Sequence, residues 1–247
     1  MSTPSLPSSR RGWGPWWGLL LAIAGALLGT TAGFWQLGRG AEKRALEARF
    51  AAGGAGPALQ QLVSDGEAAS LRYTVLRVTG HYDPGHQVLL DNMSDAGRPG
   101  YQVLTPFATA AGTVLVNRGW VPADGDRTRL PDIGVDGASR ELVGRIEHLP
   151  RPGIRLAAAD VPANAPWPRR LLFPTSAEVS AQLGAPLRDF QLLLDAGEPD
   201  GFVRDWRPGG MLAERHVAYA VQWFGLALTV VVIYVVLVIR THRKQTS

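Results

Sequence analysis

The chain has 247 residues, 46% of them hydrophobic, no cysteine and a formal net charge of +4. Without cysteine, disulfide staples, thiolate metal sites, CxxCH haem attachment and thiol-based copper transfer are excluded. The charge is uneven: residues 40–210 hold 18 Lys and Arg against 20 Asp and Glu, and the flanks hold 7 against 1, so no basic tract suits a nucleic acid.

Trp16 to Leu37 is a charge-free run of 22 residues. As a helix rising 1.5 Å per residue it spans roughly 33 Å, enough for a hydrocarbon core of about 30 Å. Trp13, Trp16 and Trp17 mark one end and Phe34 and Trp35 the other, as an interfacial aromatic belt would. The run is longer than the apolar core of a cleaved signal peptide, about 7–15 residues, which favours a retained anchor. Arg10 and Arg11 lack the rest of a twin-arginine signal. Gly18, Ala22, Gly25, Gly29 and Gly33 recur at near four-residue spacing, a stripe that lets another helix approach closely.

From Arg39 to Ala52 helix formers and Glu–Arg spacing extend this helix into water, and GGAG at 53–56 breaks it. Strand-like runs follow at Leu71 to Thr79, Gln87 to Leu90, Tyr101 to Thr109, Thr113 to Asn117, Arg140 to Glu147 and Phe190 to Leu194, separated by DPG, AGRPG and AAG turns. Thr175 and Glu178 form a capping box for a short helix running to Leu183. The Pro- and Ala-rich segment 153–170 reads as an extended surface loop. Short strands at close spacing favour a barrel or sandwich over a parallel α/β sheet.

Val217 to Ile239 is a second charge-free run, of 23 residues, with Gly225 and Thr229 as a shorter counterpart to the small-residue stripe. The predicted fold class is a membrane protein in which N- and C-terminal transmembrane α-helices flank an extracytoplasmic, mostly antiparallel β (α+β) domain. Its expected segments are 1–15 cytoplasmic, 16–37 transmembrane, 38–215 extracytoplasmic, 216–239 transmembrane and 240–247 cytoplasmic. Arg10, Arg11, Arg240, Arg243 and Lys244 place both termini inside. Arg39, Lys43, Arg44 and Arg49 argue the other way, but long intervening domains translocate largely regardless of charge.

Candidate chemistry is sparse. Asp124, Asp126, Asp132 and Asp136 lack the ligand spacing and closing Glu of an EF-hand and read as loop charge. His81 and His86 flank a DPG turn, and two histidines do not complete a zinc site. G-x-S-x-G, G-x-G-x-x-G and P-loop motifs are absent. In VLVNRGWVP (114–122), Arg118 and Trp120 could hold a carboxylate or an aromatic ring, but residue types favour a structural reading. His216, Tyr219 with Ala220, and Trp223 share one helical face, with Gln222 about 120° away. That histidine suits either an axial haem ligand or an interfacial residue without chemistry, and spacing alone favours the second.

Four pieces in order, GFWQLGR (33–39) with Lys43, LDN…GRPGYQVLTPF (90–107), VLVNRGWVP and HVAYAVQWF (216–224), resemble the surfeit locus protein 1 family over nearly the full length. The chain departs from the family's usual residues at Met93, Glu214 and Arg215. The resemblance implies no enzyme but a bacterial plasma-membrane factor for assembly of haem-copper cytochrome c oxidase, which would bind haem a as cargo and assist its insertion into the main oxidase subunit. Haem a synthase, membrane lipid and a second copy of the chain are the further partners it suggests. It makes His216 the iron ligand and Tyr219 and Trp223 pocket walls. Gly25, Gly29 and Gly33 would pack as the facing wall, and Arg118 would meet the propionates. The alternative is a scaffold that steadies the oxidase subunit without binding haem.

Overall fold

The computed structural model describes residues 15–54, 58–151, 162 and 164–245. These fall into two compact units: Glu47–Pro208, and the residues up to Leu46 together with those from Gly209 onward.

The second of these units is built on two helices, α1 (Pro15–Gly53) and α4 (Ala213–Gln245). Both are long and apolar enough to cross a membrane. Their outward faces expose Leu21, Leu27 and Leu28 on α1 and Val221, Leu226 and Leu228 on α4. Rows of exposed branched side chains suit lipid, where the α-helix also satisfies every backbone group internally. The helical extension beyond residue 37 ends at Gly53, where any Cβ would run into the Tyr73 carbonyl. As a compact unit the sheet domain spans 47–208. Residues 38–46 and 209–215 are tied to one another through Lys43 with Gly209 and Gly40 with Ala213.

The sheet domain contains β1 (Val75–Tyr82), β2 (Val88–Asp95), β3 (Arg98–Thr109), β4 (Gly112–Pro122), β5 (Arg140–Glu147), β6 (Arg169–Leu171) and β7 (Leu187–Leu194). Two short helices, α2 (Asp65–Ala68) and α3 (Ser176–Leu183), accompany them. The strands run in the order β1-β5-β7-β4-β3-β2-β6, and β1 also pairs with the end of β3, so five strands close into a barrel. β3 is long enough to do both: its first half pairs with β2 and its last residues with β1. Two of the pairings, β4 with β7 and β2 with β6, are parallel; the rest are antiparallel.

Alternation decides what fills the barrel. Leu76 and Val78 of β1, Val114 and Val116 of β4, Leu142 and Ile146 of β5, and Phe190, Leu192 and Leu194 of β7 point to one core. The opposite face of β4 contributes Leu115 to a second cluster with Val88, Leu90, Leu104 and Val179 of α3. β4 is therefore buried on both faces from Val114 to Val121. The α3 capping box forms as its sequence predicts: the Thr175 side chain accepts from the Glu178 amide, and Glu178 reaches back to Thr175. β6 carries no sequence signal of its own, whereas α2 opens on a Ser64–Glu67 capping-box pattern that the strand and turn reading passes over. β6 lies in the segment expected to be an extended loop, whose residues 153–161 and 163 fall outside the described residues.

Candidate functional site

The helix pair builds its seam from small residues. On α1 the inward positions include Ala22, Ala26, Gly29, Gly33, Gln36, Gly40 and Lys43, buried or half-buried at alternating spacings of four and three. On α4 they are Ala213, His216, Ala220, Trp223 and Ala227. This is a heptad-like seam in which glycines let the backbones close up. A Cβ on Gly29 would lie 2.9 Å from the Ala227 Cβ and 3.0 Å from the Trp223 carbonyl oxygen; one on Gly33 would lie 2.5 Å from the Phe224 ring. Gly25 faces Val230, with 3.3 Å to a Cβ placed there. Gly25, Gly29 and Gly33 thus all lie against α4. The counterpart on α4 is not Gly225 and Thr229: a Cβ on Gly225 meets nothing, and the Thr229 hydroxyl donates to the Gly225 carbonyl within its own helix. Ala213, Ala220 and Ala227, seven residues apart, take that place.

The seam turns polar toward the start of α4. The His216 Nδ1 lies 2.8 Å from the Gln36 Oε1. Gly40 packs against this pair: a Cβ there would sit 3.4 Å from the His216 Cβ and 3.5 Å from the Ala213 carbonyl oxygen, ordinary contact distances. One turn further along α1 the nearly buried Lys43 donates to the Gly209 carbonyl at 2.8 Å. His216 is half-buried, Trp223 likewise, and Tyr219 is exposed on the outer side of α4. Glu214 and Arg215 are exposed and point away from the seam. Among the described residues, Nε2 of His216 makes no hydrogen bond. The imidazole thus has the form of a metal ligand: one nitrogen is committed to the protein and the other is not.

Gln36 and Lys43 are the polar seam positions that residue-by-residue reading passes over. A signal exists: Ala22, Gly29, Gln36 and Lys43 follow one another at seven-residue intervals, so the two polar residues lie on the small-residue stripe.

Arg118 lies within the sheet domain, and its side chain is 1% exposed. Its Nε donates to the Asp200 carbonyl, Nη1 to Gln87 Oε1 and to the Ile133 carbonyl, and Nη2 to the Gly134 carbonyl, at 2.7–3.1 Å. The rings of Phe202 and Tyr82 flank the guanidinium at 5.0 and 5.6 Å. Burial lowers its pKa, partly offset by the favourable electrostatics of Tyr82 and Asp200. With these partners Arg118 fastens loops 132–134 and 200–202 to β4. Trp120 is buried beside it and donates from Nε1 to the Met93 carbonyl, while Gly119, at φ +111°, lets the 202–203 backbone approach. Asn117 donates to both Gln102 and Gln191.

The remaining candidates resolve locally. His86 Nδ1 pairs with Asp83 at 2.7 Å, and His81 is exposed. Asp124, Asp126, Asp132 and Asp136 each accept from a backbone N–H two residues on, holding turns. Among the described residues no cluster of three or more His, Asp or Glu could hold a metal ion.

Two apolar helices near the termini, a closed barrel between them in sequence and a half-committed histidine on the second helix define a class of membrane-tethered β-domain proteins. The sequence profile of the SURF1 family matches residues 23–228, and the chain belongs to that family. It is similar to a SURF1-like protein of Rickettsia conorii, 29% identical over 212 residues, covering 83% of this chain and 84% of that one. A SURF1-like protein of Rickettsia felis is likewise 29% identical, covering 83% and 89%. Surfeit locus protein 1 of Xenopus tropicalis is 27% identical over 238 residues, covering 85% and 71%. The matched span includes Gln36, Lys43, Arg118, His216 and Trp223.

Proposed function

We propose that this chain is an assembly factor for a haem-copper cytochrome c oxidase, and that it receives haem a as cargo at His216 and passes it to the main oxidase subunit. Family membership supports the assembly role. The haem reading is carried by one observation: His216 sits half-buried in an apolar helix seam with Nδ1 held by Gln36 and Nε2 without a partner among the described residues. A neutral imidazole nitrogen of that kind is a good iron ligand. Trp223, one face along the same helix, supplies a flat apolar wall, and Tyr219 an exposed edge toward lipid or a partner. Arg118 is assigned to the barrel rather than to propionates, because four of its donors already meet oxygens of its own domain. In this reading both termini are cytoplasmic and the barrel is extracytoplasmic.

The test is to purify wild type and His216→Ala in detergent from cells that make haem a, and to record absorption spectra. A haem chromophore in wild type that is lost or altered in the variant is the expected result. Equal haem with identical bands in both removes His216 as ligand; no chromophore in either leaves the scaffold role, measured as copurification with the oxidase subunit when haem a synthesis is blocked.

A further inference from the structure

Gln36 is separated from His216 by 180 residues of sequence, yet its amide lies 2.8 Å from the imidazole within the seam. The facing atom is Oε1, and an amide oxygen only accepts. An amide in this orientation pairs with the Nδ1–H tautomer, which leaves Nε2 with its lone pair and sets which edge of the ring is offered. The backbone is arranged to permit this. Gly40, one turn after Gln36, lies against the His216 Cβ, and Lys43 pins the chain just before α4 through the Gly209 carbonyl. A glutamine in an apolar seam is costly unless paired, so the placement needs a reason beyond helix packing, which the glycines already provide.

We propose that Gln36 is a positioning residue for iron ligation: it holds His216 as the Nδ1–H tautomer and, by drawing on that proton, makes Nε2 a stronger donor. The proposal rests on the reading of His216 as the haem ligand and adds which residue prepares it. An acceptor behind a ligating histidine fixes tautomer and orientation and raises ligand basicity, and its loss typically lowers affinity 10- to 100-fold.

The experiment compares full-length wild type, Gln36→Leu, Gln36→Glu and His216→Ala in lipid nanodiscs. In the unliganded proteins, 15N NMR of labelled histidine reports the tautomer, with the His216 signal identified by its loss in His216→Ala. Nδ1–H is expected in wild type and Gln36→Glu, and a mixture of tautomers in Gln36→Leu. Titration with ferrous protohaem is expected to show about 10-fold or greater weakening in Gln36→Leu and near-wild-type binding in Gln36→Glu. The iron–histidine stretching frequency should fall in Gln36→Leu and rise in Gln36→Glu, a shift that a purely structural tie between helices would not produce. If Gln36→Leu does not accumulate, Gln36→Met, unbranched and similar in length, gives the same reading.

A wild-type tautomer and stretching frequency in Gln36→Leu, while His216→Ala has lost protohaem, would overturn the positioning role and leave the haem reading standing. Equal protohaem binding by wild type and His216→Ala would overturn the haem reading itself, and the positioning role with it.

Discussion

The barrel and the helix pair both bury polar side chains, and they treat them differently. In the barrel, Arg118, Gln87 and Thr105 form one set and Asn117 and Gln191 another, in which side chains bond to one another and to backbone carbonyls. Buried polarity there does architectural work, joining loops to the central strand. In the helix seam the polar groups are fewer and set among glycines, and His216 keeps a nitrogen in reserve. A buried polar residue is thus informative about function according to how fully its neighbours satisfy it, and burial alone is not enough.

The sharpest way to break this contrast is Arg118→Met. It strands the buried carbonyl of Ile133, at a cost of about 1–3 kcal/mol, and frees the carbonyls of the exposed Gly134 and Asp200 to water. A loss of about 1–3 kcal/mol is a sizeable share of a domain's stability, so thermal denaturation of the barrel should shift downward. Haem binding per folded molecule should be unchanged; selective loss of haem with an unshifted midpoint would reverse the assignment.

Alkaline pH tests the same packing. Burial pushes the Tyr82 phenol up to about 12, although Arg118 nearby favours its ionised form. An acid whose folded pKa exceeds its unfolded value of about 10 favours the native state fully below pH 10 and loses that contribution as pH rises toward 12. The loss is on the order of 2–3 kcal/mol. Urea midpoints measured across that window should fall, and Tyr82→Phe should flatten the decline; equal slopes would show that Tyr82 ionises freely in the folded state.

In the seam, Gly29→Leu is expected to cost about 1–3 kcal/mol by overpacking against Ala227 and the Trp223 carbonyl. Because the chain has no cysteine, spin labels at Leu28 and Leu226 can read helix separation directly. Gly225→Leu, pointing into open space, should change stability by less than about 0.5 kcal/mol and leave that distance alone. Similar effects at both glycines would mean that the stripe does not set the spacing.

Much of this was legible in advance, for identifiable reasons. The two apolar helices stand out because nothing else gives 22 and 23 residues without charge, and α3 announces itself through Thr175 and Glu178. The strands show as Val-, Leu- and Thr-rich runs, but their closure into a barrel depends on β3 pairing with both β4 and β1, which no local pattern encodes. β6, three residues long, is defined only by the register of β2. At the site, periodicity places His216 and Trp223 on one face yet cannot say that Tyr219 is turned outward or that Gly225 faces away. The Gln36–His216 bond spans nearly the whole chain, so it emerges only once the antiparallel pairing sets which residues meet.

The central claim, that His216 carries iron through the nitrogen Gln36 leaves free, is tested most directly by resonance Raman spectroscopy of the ferrous, protohaem-loaded protein in nanodiscs, prepared with 14N- and 15N-histidine. The expected result is an iron–histidine band that moves to lower frequency on 15N labelling in wild type and is missing from His216→Ala. A band insensitive to the label, or one that persists unchanged in His216→Ala, would contradict it.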